Sequence, residues 1–284
     1  MILGFDTATA ATTAAILDPA TPVRPAAALD PATRATTSAI LAPAGLRAGR
    51  STGTHGGPRL ELEARDDPPR GQRPRHAGKL LAVIAELLER AQCDWPDIER
   101  IAVGVGPGTF TGLRIGIATA RALGQARGIP LVGVSTLRSL AQGARSAPIS
   151  ADARAVLAVL DARRGEVFAA GWRLEVPVGA GVPARDGRCE GLLAPRALAP
   201  EALAELIAGF GPGALALGDG AIMWRAVLER SGALIPADHS DLHRVTAINH
   251  CRLAGAMQPS APDEVHPEYL RLADAEIALR AAGG

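Results

Sequence analysis

Residues 101–112 read Ile-Ala-Val-Gly-Val-Gly-Pro-Gly-Thr-Phe-Thr-Gly, and the stretch that follows, Leu113 to Arg127, is rich in alanine, isoleucine and leucine. An apolar run that enters glycines and then helix-forming residues has the order strand, loop, helix. The glycines of Gly106-Pro-Gly-Thr-Phe-Thr-Gly112 lack Cβ atoms, so successive backbone N–H groups can turn into one concavity at a helix N-terminus and cradle a phosphate. A ligand-free reading is equally open: a tight strand-to-helix turn with Thr111 as the cap. The common phosphate fingerprints do not match. Lys79 is followed by Leu80 where a Walker loop needs Ser or Thr, and the dinucleotide pattern fails at Thr109 counted from Gly104, or at Thr111 counted from Gly106.

Upstream, Ile2-Leu-Gly-Phe-Asp6 and Ala11 to Leu17 are two apolar runs around a small-residue turn, which predicts a β-hairpin with Asp6 and Thr7 at its turn. Residues 18–58, rich in Ala, Pro, Thr, Arg and Gly, read as an inserted loop. Within that region Ala32–Ala44 repeats Ala8–Ala20 at 10 of 13 positions, an offset of 24. Two copies are too few for a solenoid, so the second reads as a surplus strand or a tolerated surface loop. Leu60 to Ala64 alternates as an edge or half-buried strand does, and His76 to Ala91 carries Leu80, Leu81, Ile84, Leu87 and Leu88 at helical spacing. Downstream come a strand over 129–134, a helix over 135–143, a strand over 155–161 with 166–172 as its hairpin mate, and a helix over 200–208. The alternation defines an α/β class, with a first lobe over 1–128 and a smaller one over 129–284 whose C-terminal tail returns to the first.

Composition limits the function. The 284 residues are 48% hydrophobic with a formal charge of +1, and of the 30 basic residues only Lys79 is a lysine. So balanced a charge offers no general footprint for nucleic acid, and if tRNA is involved a partner supplies much of the grip. No apolar run approaches the roughly 20 residues that span a bilayer, and the start lacks a basic leader, so a cytoplasmic address is expected. Cys93, Cys189 and Cys251 suggest neither a disulfide framework nor a zinc finger.

Few residues invite chemistry. His239 and His243 have the spacing of two metal ligands on one helical turn, with His250 beyond, but no carboxylate follows the first, so solvent-facing histidines and no metal are expected. Ser135 lacks the second glycine of a nucleophile elbow. Asp161 and Glu166 can be a carboxylate pair or simply bracket a hairpin turn.

Several segments together resemble one family. Ile2-Leu-Gly-Phe-Asp-Thr7, the helix beginning at His76, Gly104 to Gly116, Val134-Ser-Thr-Leu137, Asp161 to Phe168, Gly218-Asp-Gly220 and Pro267-Glu-Tyr-Leu-Arg271 are similar, in order and spacing, to the TsaB family. The chain departs from it in the 18–58 insertion and at Ala77-Gly78, where the family usually has Ser and an acid.

The resemblance implies a two-lobed actin/Hsp70-like fold (ASKHA, ribonuclease H-like) with a degenerate second lobe. It implies a non-catalytic subunit that pairs with TsaD, which transfers threonylcarbamoyl to adenosine 37 of ANN-decoding tRNAs, with the ATPase TsaE joining the pair. The histidine pair that holds the TsaD metal would fall at Thr136 and Leu140, neither able to ligate as imidazole does. Partner contact is then expected through a helical seam of His76, Leu80, Leu81, Ile84, Leu88, Leu113 and Ile117. In actin-like ATPases an acid at the first hairpin turn meets metal-bound phosphates, so a vestigial phosphate loop is expected at Asp6, Thr7, Gly106, Gly108, Thr109, Thr111 and Gly112. No intrinsic cofactor is expected; ATP or ADP belongs to the complex, tRNA is reached through it, and the isolated chain is a candidate homodimer. The alternatives are an independent actin-like ATPase or phosphotransferase and, below it, a peptidase.

Overall fold

The computed structural model describes residues 1–22, 59–68, 72, 74–145, 153–174 and 191–271. They pack as two compact units. The first is Met1–Gly104 with Thr111–Val134 and Thr246–His266; the second is Val105–Phe110 with Ser135–Val245 and Pro267–Gly284. Where one cut near residue 128 was expected, the chain crosses between units several times, because strand ends and a late helix belong to cores far away in sequence.

The first unit is built on strands β1 (Ile2–Asp6), β2 (Thr12–Pro22), β3 (Arg59–Asp66), β4 (Arg100–Gly106) and β5 (Leu131–Ser135), in the order β3-β2-β1-β4-β5. β1 and β2 form the expected antiparallel hairpin, with Phe5 opposite Ala14, while β4 joins β1 in parallel. β2 continues through Pro22, so the expected loop at 18 begins later; 23–58, with the second repeat copy, lies outside the described residues.

Alternation sends Leu3, Phe5, Ile16 and Val103 to one face of this sheet and Ile2, Gly4, Asp6, Ala15 and Ala102 to the other. The first face receives helix α1 (His76–Ala91) and, where Gly116 comes close to Val103 and Thr7, helix α2 (Phe110–Arg127), which starts three residues earlier than expected. Thr111 therefore lies inside the first turn and cannot be the cap. The second face receives α7 (Ala247–Ala254), which packs Ala247, Cys251 and Ala254 on Ile2, Ala15, Leu17, Ala102, Val132 and Val134. Burying a large aliphatic side chain stabilises by roughly 1.5–3 kcal/mol, and Leu80, Ile84, Leu87, Leu113 and Leu131 are all buried.

The second unit repeats the plan. Strands β6 (Ala155–Arg163), β7 (Glu166–Arg173), β8 (Gly191–Leu198), β9 (Ala214–Leu217) and β10 (Ala233–Leu234) run in the order β10-β9-β6-β7-β8: an antiparallel hairpin and its third strand on one side, parallel strands on the other. The degeneration expected of this lobe shows in β10, two residues long. β6 is buried on both faces. Val156, Ala158 and Leu160 meet Leu137 and Leu140 of α3 (Thr136–Arg145), while Leu157 and Val159 meet Leu203 and Ile207 of α4 (Pro200–Phe210), Ala221 of α5 (Asp219–Met223) and Leu228 of α6 (Arg225–Arg230).

Two glycines should respond oppositely to alanine. Gly218 sits at φ +114° with its missing Cβ directed onto the Val159 carbonyl, whereas Gly78 faces open space on α1. Gly218→Ala should cost about 1–3 kcal/mol, and Gly78→Ala should add roughly 0.5–1 kcal/mol, both read from denaturant unfolding.

Candidate functional site

The end of β1 puts Asp6 on the face covered by α7, where it is 1% exposed. One carboxylate oxygen, Oδ1, accepts the Ala8 N–H at 2.7 Å. The other, Oδ2, makes an ion-pair contact of 3.0 Å with Nε2 of His250, whose Nδ1 lies 3.0 Å from the Thr246 carbonyl. Both side chains of this pair are fully enclosed. The approach depends on absent side chains: a Cβ on Gly104 would overlap Asp6 Oδ2, and one on Gly4 would come within 2.5 Å of Cys251 Sγ.

Polar contacts from the edge strands hold the same helix. The Ala247 N–H donates to Glu63 Oε1 at 2.7 Å, and Thr13 Oγ1 donates to that same oxygen at 2.7 Å. Arg252 reaches Glu61 at 2.8 Å. Burial raises the Glu63 pKa, against the lowering effect of the Thr13 and Ala247 hydrogen bonds. The alternation Leu60-Glu61-Leu62-Glu63 thus marks an edge strand as expected, but its polar side meets a helix rather than solvent. Burial likewise pushes the Cys251 thiol far up, leaving a core sulfur 3.6 Å from the Ile2 carbonyl.

Thr7 turns to the other face, donating from Oγ1 to the Gly112 carbonyl at 2.8 Å. The remaining loop residues divide between the units: Thr111 and Gly112 go with Asp6 and Thr7, and Gly106, Gly108 and Thr109 with the second unit. There the Glu268 N–H donates to the Val105 carbonyl at 2.7 Å, and Tyr269 stacks on Phe110 with ring centroids 5.5 Å apart. Two of the family-like segments, the glycine loop and the tail, therefore meet. With its oxygens engaged by Ala8 and His250, Asp6 does not fit the metal-bound phosphate that the resemblance places at such an acid.

The expected seam needs correction. His76, Leu80, Ile84, Leu113 and Ile117 are buried in the first unit's own core, and Leu88 is half-buried; of the seven, only Leu81 is well exposed, at 56%. An apolar stripe announces that a helix packs on something, and here that something is the helix's own sheet. The outward side of α1 instead presents Ala77, Gly78, Leu81, Ala82 and Ala85, with Glu89 and Arg90 towards its end.

The histidines also differ from expectation. His239 is exposed, but His243 and His250 are buried. His243 Nδ1 accepts the Gly218 N–H at 3.1 Å and Nε2 lies 3.1 Å from the Pro236 carbonyl, which assigns the proton to Nε2. Among the described residues no cluster of three or more His, Cys, Asp or Glu could hold a metal ion. Thr136 and Leu140 are both completely buried on α3. Asp161 and Glu166 bracket a turn: Asp161 accepts the Arg163 N–H, Arg163 to Gly165 take positive φ, and Glu166 pairs with Arg271 at 3.0 Å. Ser135 Oγ faces the Arg138 N–H at 3.5 Å. The Asp6–His250 and Glu63–Ala247 contacts escaped sequence reading because no local pattern links residues so far apart in the chain.

Residues 68–179 match the model of the TsaD family, tRNA N6-adenosine threonylcarbamoyltransferase. The chain is 42% identical over 93 residues to the tRNA threonylcarbamoyladenosine biosynthesis protein TsaB of Escherichia coli, covering 33% of this chain and 39% of that protein. It is 33% identical over 93 residues to TsaB of Haemophilus influenzae, covering 33% and 38%. It thus spans about two fifths of the length of these curated relatives. A solved structure from Pseudomonas aeruginosa, described as similar to the peptidase YeaZ, superposes with a TM-score of 0.64 at 25% identity, covering 95% of this chain and 99% of that one. Topology and matches define a two-lobed α/β protein of the ASKHA type. Within that class the chain is similar, over a third of its length, to proteins named TsaB. No described helix is long and apolar enough to cross a membrane.

One consequence of the site is measurable. Burial depresses the His76 pKa, only partly opposed by the nearby Asp6 charge; Nδ1 of His76 lies 2.8 Å from Thr12 Oγ1. The folded state therefore binds fewer protons than the unfolded chain between the depressed value and about 6.5. Unfolding free energy should fall as pH drops through that window and level off below it. His76→Gln should flatten this part of the profile, as followed by urea unfolding at stepped pH.

Proposed function

We propose that the chain is a non-catalytic subunit of a tRNA threonylcarbamoyladenosine-forming complex and that it acts by binding a TsaD-type transferase. The observation that carries this reading is chemical: where TsaD is expected to hold its metal between two imidazoles, this chain has a hydroxyl and an aliphatic side chain, Thr136 and Leu140, both sealed in a core. Neither offers a transition metal the donor it needs.

The outward side of α1 supports a docking role. Ala77, Gly78, Ala82 and Ala85 are short enough to let a partner helix approach closely, and Leu81 supplies an apolar anchor between them. This replaces the seam read from the stripe. ATP or ADP, TsaE and tRNA are engaged by the assembled complex in this reading. An independent ATPase is disfavoured by the enclosure of Asp6, and a peptidase by Ser135, whose hydroxyl faces a backbone amide rather than a histidine.

Size-exclusion chromatography with the TsaD-type protein of the same genome, with and without TsaE and ATP, tests this directly when modified adenosine is quantified by mass spectrometry. The chain alone should transfer nothing, and activity should appear with the partners. Leu81→Asp should abolish co-elution while leaving the circular dichroism spectrum unchanged, whereas Ile84→Asp should lose the fold itself. Transfer by the purified chain without any partner would overturn the proposal.

A further inference from the structure

The insertion carries a second copy of a strand that the first sheet encloses on both faces and both edges. β2 lies between β1 and β3, and Thr12 to Asp18 are all buried. The positions that make its contacts recur 24 residues further on. Thr12, which meets His76 Nδ1 at 2.8 Å, is Thr36 in the copy, and Thr13, which donates to Glu63 Oε1 at 2.7 Å, is Thr37. Ala15 and Leu17, packed under α7, are Ala39 and Leu41; Ile16, completely enclosed on the opposite face, is Ile40. The same side chains at the same alternation offer the same two faces and the same cross-strand pairs. We propose that residues 36–44 are a spare for β2, able to take its place between β1 and β3, so that one sheet can be closed by either copy.

The connections on either side permit the exchange. With the first copy in the sheet the connectors are residues 7–11 and 23–58; with the second they are 7–35 and 45–58. Closure entropy rises only with the logarithm of loop length, so trading a short and a long connector for two of middle length disfavours the exchange by only roughly threefold. The three positions that differ set the order of preference. Ala10 is exposed, so Arg34 is accommodated at the turn. Ala14 is completely buried opposite Phe5 and Ala64, where Ser38 brings a hydroxyl into an apolar contact. Asp18, buried as well, becomes Ala42. The first copy therefore holds the sheet and the second is its substitute. The exchange is independent of the partner role and can fail without affecting it.

Substitution of the two equivalent isoleucines in the full chain tests this, with urea unfolding followed by circular dichroism. A carboxylate at a completely enclosed position of a central strand ordinarily abolishes folding. Here Ile16→Asp should keep a cooperative transition at a lower urea midpoint, because the second copy enters the sheet with Ile40 in the vacated position. Ile40→Asp alone should leave the wild-type midpoint unchanged, and the double variant Ile16→Asp/Ile40→Asp should lose the transition altogether. The second substitution then matters only when the first is present, a coupling that independent sites do not show. Loss of folding in Ile16→Asp alone overturns the proposal. So does an Ile40→Asp effect, zero included, that is the same with and without Ile16→Asp.

Discussion

The docking of α7 onto the first sheet is the constraint on which that unit's remaining structure depends. Thr246 is where the chain rejoins the first unit after the long excursion that builds the second. The eight-residue helix that follows covers the face left open by α1 and α2. Its seat combines the glycine-cleared approach at Gly4 and Gly104 with the Asp6–His250 pair and the Glu63 carboxyl at its first N–H. Removing one partner of such a buried pair typically costs about 3–5 kcal/mol, because the other is left uncompensated.

The two sheets share a strand order but satisfy the acid at the end of their first strand differently. Asp161 finds its partners locally, in the N–H and guanidinium of Arg163 at the hairpin turn. Asp6 takes the Ala8 N–H locally and also meets His250, 244 residues further along the chain. A fold made of two similar halves has thus committed one acid to a hairpin and the other to holding a distant helix. Both uses are structural.

The outward side of α1 follows from the same packing. α1 uses its Leu80, Val83, Ile84 and Leu87 side to cover its own sheet, so its outward side carries alanine, glycine and Leu81 over the earlier turns and Glu89 and Arg90 at the end. Gly78 lowers helix propensity without meeting any neighbour, which makes sense if a bulkier outer surface would hold a partner away. The stacked Phe110 and Tyr269, on the second unit, tie the tail to the end of β4 through Glu268 and Val105.

The sequence by itself determined the elements: the hairpin at the start, the helix from His76, the strand–glycine–helix passage and the hairpin around Arg163-Arg164-Gly165 were all legible, because period, glycine placement and turn chemistry are local. The resemblance to TsaB proteins was legible too, from motifs whose order survives around the insertion. Only the tertiary structure decided which apolar positions stay inside and which face outward. A stripe at helical spacing reports burial but not against what, so Ile84 and Leu81 looked alike until the sheet beneath them was in place. The same holds for His250 and Glu63, whose roles come from partners brought close by the fold, information that no window of sequence contains.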